Sequence, residues 1–306
     1  MKKYVFILFI LLTTTSPLLV NACEICGCGV GNFYLGMLPN FKNKFVGVRY
    51  NFMHYQTRLK DDPTQFSNDY YKTLEIWGGW NIGKKWQVMA FIPYQINKQY
   101  TDDGNKQQSG LGDITVLGNY KIWQHRSAGS GNSLHKQELW LGAGLKVPTG
   151  QYHLDLQNPD ANIGDVNSQM GTGSVDFILN VSHNLDLGRI GLSSSANYKI
   201  NTTNSDHYQF GNRIMLNTIG YYRMKIAGLD VSPNLGLLYQ NAGVNHLNKE
   251  VVDQTGGWSF FGSAGLELAL KGVSVGASVF APIAQDYAEG QTDAKLRGLL
   301  HVSFSL

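Results

Sequence analysis

An all-β chain folded as a transmembrane, antiparallel, up-and-down β-barrel of about twelve strands is what this sequence predicts, and three observations carry the prediction. Its segments alternate apolar with polar residues, its connections alternate short with long, and it opens on an export signal. Successive side chains of a strand point to opposite faces, so each strand can offer one face to lipid and the other to a lumen. A soluble sandwich also alternates, but it has no reason to sort its connections by length.

The chain start comes first. Met1-Lys2-Lys3, the apolar run Tyr4 to Leu12, and the exit Thr13 to Ala22 have the basic, apolar and small-residue order of a secretory signal peptide. Cleavage is expected after Ala22, which makes 1–22 a signal peptide, 23–43 a Cys-rich periplasmic segment or small plug, and 44–306 the barrel. The apolar run is too short to span as a helix, and Pro17 would disturb one. Composition agrees: Gly 35, Tyr 16, Phe 14 and Trp 6 with only 15% charged residues, at a mean hydropathy of −0.19. Lumen-facing polar residues offset lipid-facing apolar ones and give that mild average. A net charge of +3, with no basic block, argues against nucleic acid as a partner.

The strands follow in order. Val46, Val48, Tyr50 and Phe52 alternate with Gly47, Arg49, Asn51 and Met53, and the next run, Tyr70 to Asn81, is aromatic and apolar with Glu75 inside. Between Lys85 and Asn97, Trp86, Val88, Ala90, Ile92 and Tyr94 oppose Gln87, Met89, Phe91 and Gln95. Ile114, Val116, Gly118, Tyr120 and Ile122 then oppose Asp113, Thr115, Asn119 and Lys121, and Leu139, Leu141, Ala143, Leu145 and Val147 oppose Glu138, Trp140 and Lys146. Further strands are expected at 174–184, 188–201, 208–226, 229–241, 257–270 and 273–284. In the 208–226 stretch Arg213, Asn217, Arg223 and Lys225 share the side away from Ile214 and Leu216. The last strand, Ala294 to Leu306, puts Leu296, Gly298, Leu300, Val302, Phe304 and Leu306 on one face and Lys295, Arg297, His301, Ser303 and Ser305 on the other, with Leu299 as an apolar intruder. It is expected to close the barrel against Val46 to Phe52 and to carry the signal that the barrel-assembly machinery reads.

Short turns are expected at 81–84, 184–188, 227–228 and 271–272, on the periplasmic side. Long extracellular loops are expected at 59–69, 100–112, 149–173, 202–207, 242–256 and 285–293. The Gly/Ser-rich stretch from His125 to His135 breaks the alternation, since it falls where a short turn belongs. Arginine or lysine at the lipid-facing midplane costs about 2–4 kcal/mol. Arg49, Lys121, Lys146, Arg213, Arg223 and Arg297 all fall on the lumen side of their strands.

Three motifs stand at strand ends: Gly110-Leu111-Gly112-Asp113, Lys146-Val147-Pro148-Thr149-Gly150 and Gly171-Thr172-Gly173-Ser174-Val175-Asp176. With Ala281-Pro282-Ile283-Ala284-Gln285-Asp286-Tyr287 and the Gly298-Leu299-Leu300-His301-Val302-Ser303-Phe304 ending, their order resembles that of the outer-membrane transporters grouped under the meta-pathway of phenol degradation, within the wider superfamily of outer-membrane fatty-acid and aromatic-hydrocarbon channels. The resemblance runs from about Lys44 onward and implies a bacterial outer-membrane protein that moves small molecules, hydrophobic or aromatic ones among them.

Candidate lumen or gate residues are Asp113, Asp176, Arg213, Arg223, Arg297 and His301. For the two aspartates, a purely structural role in holding loop backbone or pairing with lumen cations stands beside a role in a polar gate. No G-x-S-x-G, phosphate loop, paired catalytic carboxylates or H-E-x-x-H pattern is present, so an enzyme is not expected. The cysteines depart from the family pattern: Cys23, Cys26 and Cys28 hold every thiol of the chain within six residues. Copper or zinc binding, a disulfide with one thiol left over, and lipidation of Cys23 are three open readings. Two further functions therefore stand beside a solute channel: a metal-associated outer-membrane protein, and a structural or adhesive barrel.

Overall fold

The computed structural model describes residues 44–60, 64–101, 104–128, 134–152 and 166–306. The signal peptide and Cys23, Cys26 and Cys28 lie outside them. Twelve strands follow one another: β1 (Lys44–Arg58), β2 (Phe66–Ile82), β3 (Trp86–Thr101), β4 (Gly104–Leu111, resuming as Ile114–Ala128), β5 (Leu134–Val147), β6 (Asp176–Leu187), β7 (Ile190–Ile200), β8 (Arg213–Tyr222, with Met224–Ile226), β9 (Leu229–Ala242), β10 (Gly257–Leu270), β11 (Val273–Tyr287) and β12 (Thr292–Ala294, resuming as Arg297–Ser305). Each pairs antiparallel with its neighbours in sequence, and β12 pairs with β1 from Val46↔Phe304 to Phe52↔Gly298. Closure leaves no unpaired edge, the condition for strands to cross a bilayer.

The faces sort as the alternation predicts. On β12, Leu296, Leu300 and Phe304 are 54, 55 and 46% exposed, while Arg297, His301 and Ser303 are 2, 6 and 0% exposed. The exposed residues of β3 are Trp86, Val88, Ala90, Ile92, Tyr94 and Tyr100, and those of β6 are Phe177, Leu179, Val181 and Leu187. An outer surface of this composition is stable only against acyl chains.

Four expectations need correction. Leu299 is not a lone intruder: Met89, Phe91, Leu238, Phe261, Phe280 and others also face inward in one buried apolar cluster, so the inner wall is mixed where it was read as polar. The flanks of the stretch from His125 to His135 are strand, because β4 and β5 keep pairing from Trp123↔Leu139 to Ala128↔Leu134, and residues 129–133 lie outside the described residues. A register shift between Lys121 and Trp123 hides this, since the bulge moves every later side chain to the other face. Residues 104–111 are strand as well, paired with β3 from Thr101↔Gly104 to Tyr94↔Leu111. The 208–226 stretch holds a strand only from Arg213; Tyr208–Gln209 joins His246–Leu247 and Glu250–Val251 in a separate three-stranded sheet.

Two turns show why hairpins form at one end of the barrel. Ala227-Gly228 and Lys271-Gly272 carry positive φ at both positions, 51° and 84°, and 40° and 90°. This mirror-image turn matches the strand twist, and glycine takes its second position without strain.

Candidate functional site

The three sequence motifs meet at one place. Pro93 lacks the N–H that would continue the β3 ladder, and opposite it β4 breaks at Gly112-Asp113, with Gly112 N donating to Pro93 O at 2.8 Å. The break turns Asp113 inward. Thr149, just beyond Pro148, staples it: Ile114 N donates to Thr149 Oγ1 at 2.9 Å, and that hydroxyl donates to Gly112 O at 2.9 Å. Asp113 then accepts from Gly150 N at 3.0 Å, Thr172 N at 3.0 Å and Lys146 Nζ at 2.6 Å.

Lys146 also lies 2.9 Å from Asp176 Oδ2, donates to Ser174 O at 3.2 Å and bonds Thr172 Oγ1. Asp176 takes the Ser174 hydroxyl at 2.8 Å and Thr202 N at 3.2 Å, with Lys199 Nζ at 3.7 Å. The side chains of Lys146, Asp113, Asp176 and Lys199 are 5, 7, 0 and 3% exposed. Two carboxylates therefore share the Lys146 ammonium in a desolvated cluster, with Lys199 at its edge. Such a cluster is held together because removing any one charge strands another.

This cluster anchors the longest loop on the inner wall. Gly150 and Gly171 lie against each other, a Cβ added at Gly150 coming within 2.8 Å of the Gly171 Cα, so neither position has room for a larger residue. Just before Gly171, Val166–Ser168 forms a single 3-10 turn, and Val166 through Met170 are all buried. Their carbonyls are held by lumen-facing amides of β3: Asn97 Nδ2 donates to Ser168 O at 2.9 Å and Gln95 Nε2 to Met170 O at 3.1 Å. Val166 packs on Tyr208 and Phe210, with Tyr152, Leu247 and Val252 around them, a small apolar core shared by three of the long loops. Residues 166–170 are thus held against the inner wall.

Below this segment, inward charged side chains are hydrogen-bonded and interleaved with aromatic rings. Arg49 pairs with Glu75 and lies 5.1 Å from the Trp77 ring centre and 5.5 Å from that of Phe91. Arg297 donates to Gln240 Oε1 at 2.6 Å and to the Tyr55 hydroxyl at 2.8 Å, with its guanidinium 4.1 Å from the Phe261 ring centre. His301 Nε2 is 2.9 Å from Glu267 Oε2, and Ser274 donates to the other oxygen of that carboxylate. A Cβ at Gly276 would lie 2.2 Å from both His301 Nε2 and Glu267 Oε2, so this pair occupies the space of a missing side chain. Gly276→Ala is expected to lower barrel stability by about 1–3 kcal/mol in urea titrations of vesicle-folded protein. An unchanged midpoint would show that the pair moves aside freely.

Of the predicted residues, Asp113 and Asp176 come together. Arg213 lies near the same end, whereas Arg297 and His301 face inward in separate clusters. Arg223 sits beyond the end of the main β8 ladder, where its N donates to Arg189 O at 2.6 Å and its side chain pairs with Asp186. It is a rim residue at the turn end and is not brought to the constriction. Sequence reasoning missed Lys146, Thr172 and Lys199 as anchors. Lys146 and Thr172 stood inside the recognised motifs, but their partners are 26 to 33 residues apart, a separation that no periodicity reveals. Among the described residues no group of histidines, cysteines and carboxylates could hold a metal ion.

Comparison with known proteins agrees with this architecture. An outer membrane channel from Pseudomonas putida F1 superposes with a TM-score of 0.61 at 15% identity, covering 89% of this chain and 99% of that one. The β domain of the Bordetella autotransporter BrkA superposes with a TM-score of 0.54 at 15% identity, covering 87% and 100%. No curated protein matches the sequence. At these identities the likeness is one of fold, a bacterial outer-membrane barrel. The family model described as "Putative MetA-pathway of phenol degradation" matches residues 64–225, more than half of the 306 residues, and the chain belongs to that family.

Proposed function

We propose that the protein is an outer-membrane channel for small solutes, with hydrophobic or aromatic compounds as its preferred class, and that the inturned loop sets its narrowest point. The observation that carries this reading is the inner wall itself. Arg49 is paired with Glu75, Arg297 is held by Gln240 and the Tyr55 hydroxyl, and Trp77, Phe91, Tyr55 and Phe261 pack against these two guanidinium groups. These rings are buried in the wall, and a wall this rich in apolar and aromatic groups favours hydrophobic or aromatic solutes over ions where its packing opens. The Asp113–Lys146–Asp176 cluster serves as the hinge anchor of the gate.

The test is single-channel recording on the refolded mature chain in planar bilayers. Small, discrete current steps are expected, and millimolar phenol-like solutes should reduce the ionic current by occupying the path. Absence of steps above those of protein-free lipid, in the intact chain and after deletion of the 151–170 loop, would reject the channel. Current insensitive to aromatic solutes but blocked by an aliphatic one would reject the aromatic preference alone.

A further inference from the structure

The turn end of the barrel carries cations that solute passage leaves unused. Its acidic side chains are already engaged: Glu138 with Lys121 at 2.6 Å and Lys136 at 2.9 Å, Asp186 with Arg223, and Asp230 with Lys225 at 3.8 Å. Lys44, Lys84, Lys85, Arg126, Arg189 and Lys271 are exposed there and make no salt bridge to a carboxylate of the described residues. They belong to the β1 start, the β2–β3 turn, the end of β4, the β6–β7 turn and the β10–β11 turn, so they ring the barrel. The opposite end has no such surplus: among its described residues Arg58, Lys60, Lys98, Lys106, Lys249 and Lys295 stand with Asp206, Glu250, Asp253, Asp286, Glu289 and Asp293.

Depth distinguishes the partner. Lys44 Nζ lies 4.3 Å from the Trp80 ring centre, and Lys85 Nζ lies 5.8 Å from that of Tyr120, whose ring is 4.7 Å from Trp86. Trp80 and Trp86 are 53 and 55% exposed on the lipid side. Exposed tryptophans at a barrel rim lie at headgroup level. Cations stacked on that aromatic band are held where lipid phosphates are, and a soluble acidic protein would have to reach past the headgroups to meet them.

We propose that this collar binds the phosphate headgroups of anionic phospholipids in the periplasmic leaflet. Each lysine or arginine near an anionic membrane surface adds to the attraction, so a ring of six retains such lipids around the barrel without any deep pocket. The proposal is independent of what the channel carries.

Native mass spectrometry of the refolded barrel, titrated with cardiolipin, phosphatidylglycerol and phosphatidylethanolamine, tests it. The variant Lys84→Gln/Lys85→Gln/Arg189→Gln/Lys271→Gln should bind cardiolipin at least about tenfold more weakly, with phosphatidylethanolamine binding unchanged. The control variant Lys249→Gln/Lys295→Gln, at the other end, should keep wild-type affinity. Equal cardiolipin affinity in wild type and the four-site variant would overturn the proposal. So would tighter binding of lipid A than of cardiolipin, or of a polyglutamate peptide, which would assign the collar to the outer-leaflet lipid or to an acidic protein.

Discussion

Replacing Lys146 with methionine is expected to open the channel and to weaken the barrel together. In the folded protein one ammonium group serves both Asp113, at 2.6 Å, and Asp176, at 2.9 Å. Methionine fills most of the same volume but leaves two carboxylates in a site where side-chain exposure is 7 and 0%. Lys199, 3.7 Å from Asp176, still covers one of them, while Asp113 keeps only N–H and O–H donors. Breaking a buried pair by removing one partner costs about 3–5 kcal/mol, and here the cheapest escape is for the loop to leave the wall and admit water. Single-channel conductance should therefore rise and become noisier, and the urea midpoint should fall. The triple variant Lys146→Met/Asp113→Asn/Asp176→Asn removes the stranded charges and should recover most of the stability. A triple variant no more stable than the single one would refute the electrostatic account. Unchanged conductance in Lys146→Met would show that the cluster does not hold the constriction.

A second large effect concerns the medium outside. Leu300→Arg places a guanidinium on the lipid face near the middle of β12, where Leu300 is 55% exposed. At the bilayer midplane this costs about 2–4 kcal/mol. Leu306→Arg, on the same strand face but at the turn end and 72% exposed, should cost about 0–1 kcal/mol. Urea titration of protein folded into vesicles compares the two. Equal destabilisation would mean that the outer face does not read membrane depth, and the lipid-facing assignment of β12 would fall.

Much of the architecture was legible because both of its signals are local. Strand faces follow a period of two, so Arg49, Lys146 and Arg297 could be placed inward from their neighbours alone. Loop lengths could be read directly, and a single-chain up-and-down barrel has only one way to connect them. The register shift at Lys121 to Trp123 is where this reading fails. One extra residue reverses the alternation, and a polar exposed hairpin then looks like a loop.

The candidate site was legible only as fragments. Gly-Leu-Gly-Asp, Lys-Val-Pro-Thr-Gly and Gly-Thr-Gly-Ser-Val-Asp were visible as motifs and Asp113 and Asp176 as candidates, yet nothing local says that they converge. By itself the sequence determined that this chain crosses a membrane as about twelve strands, because the lipid boundary acts on every strand separately and writes itself into each. Only the tertiary structure decided that Lys146 joins two aspartates, that residues 166–170 are buried against the inner wall, and that this wall sets apolar and aromatic side chains among its polar ones. Those features depend on which side chains meet across a closed ring and between distant loops, and closure brings together residues whose separation along the chain carries no periodic trace.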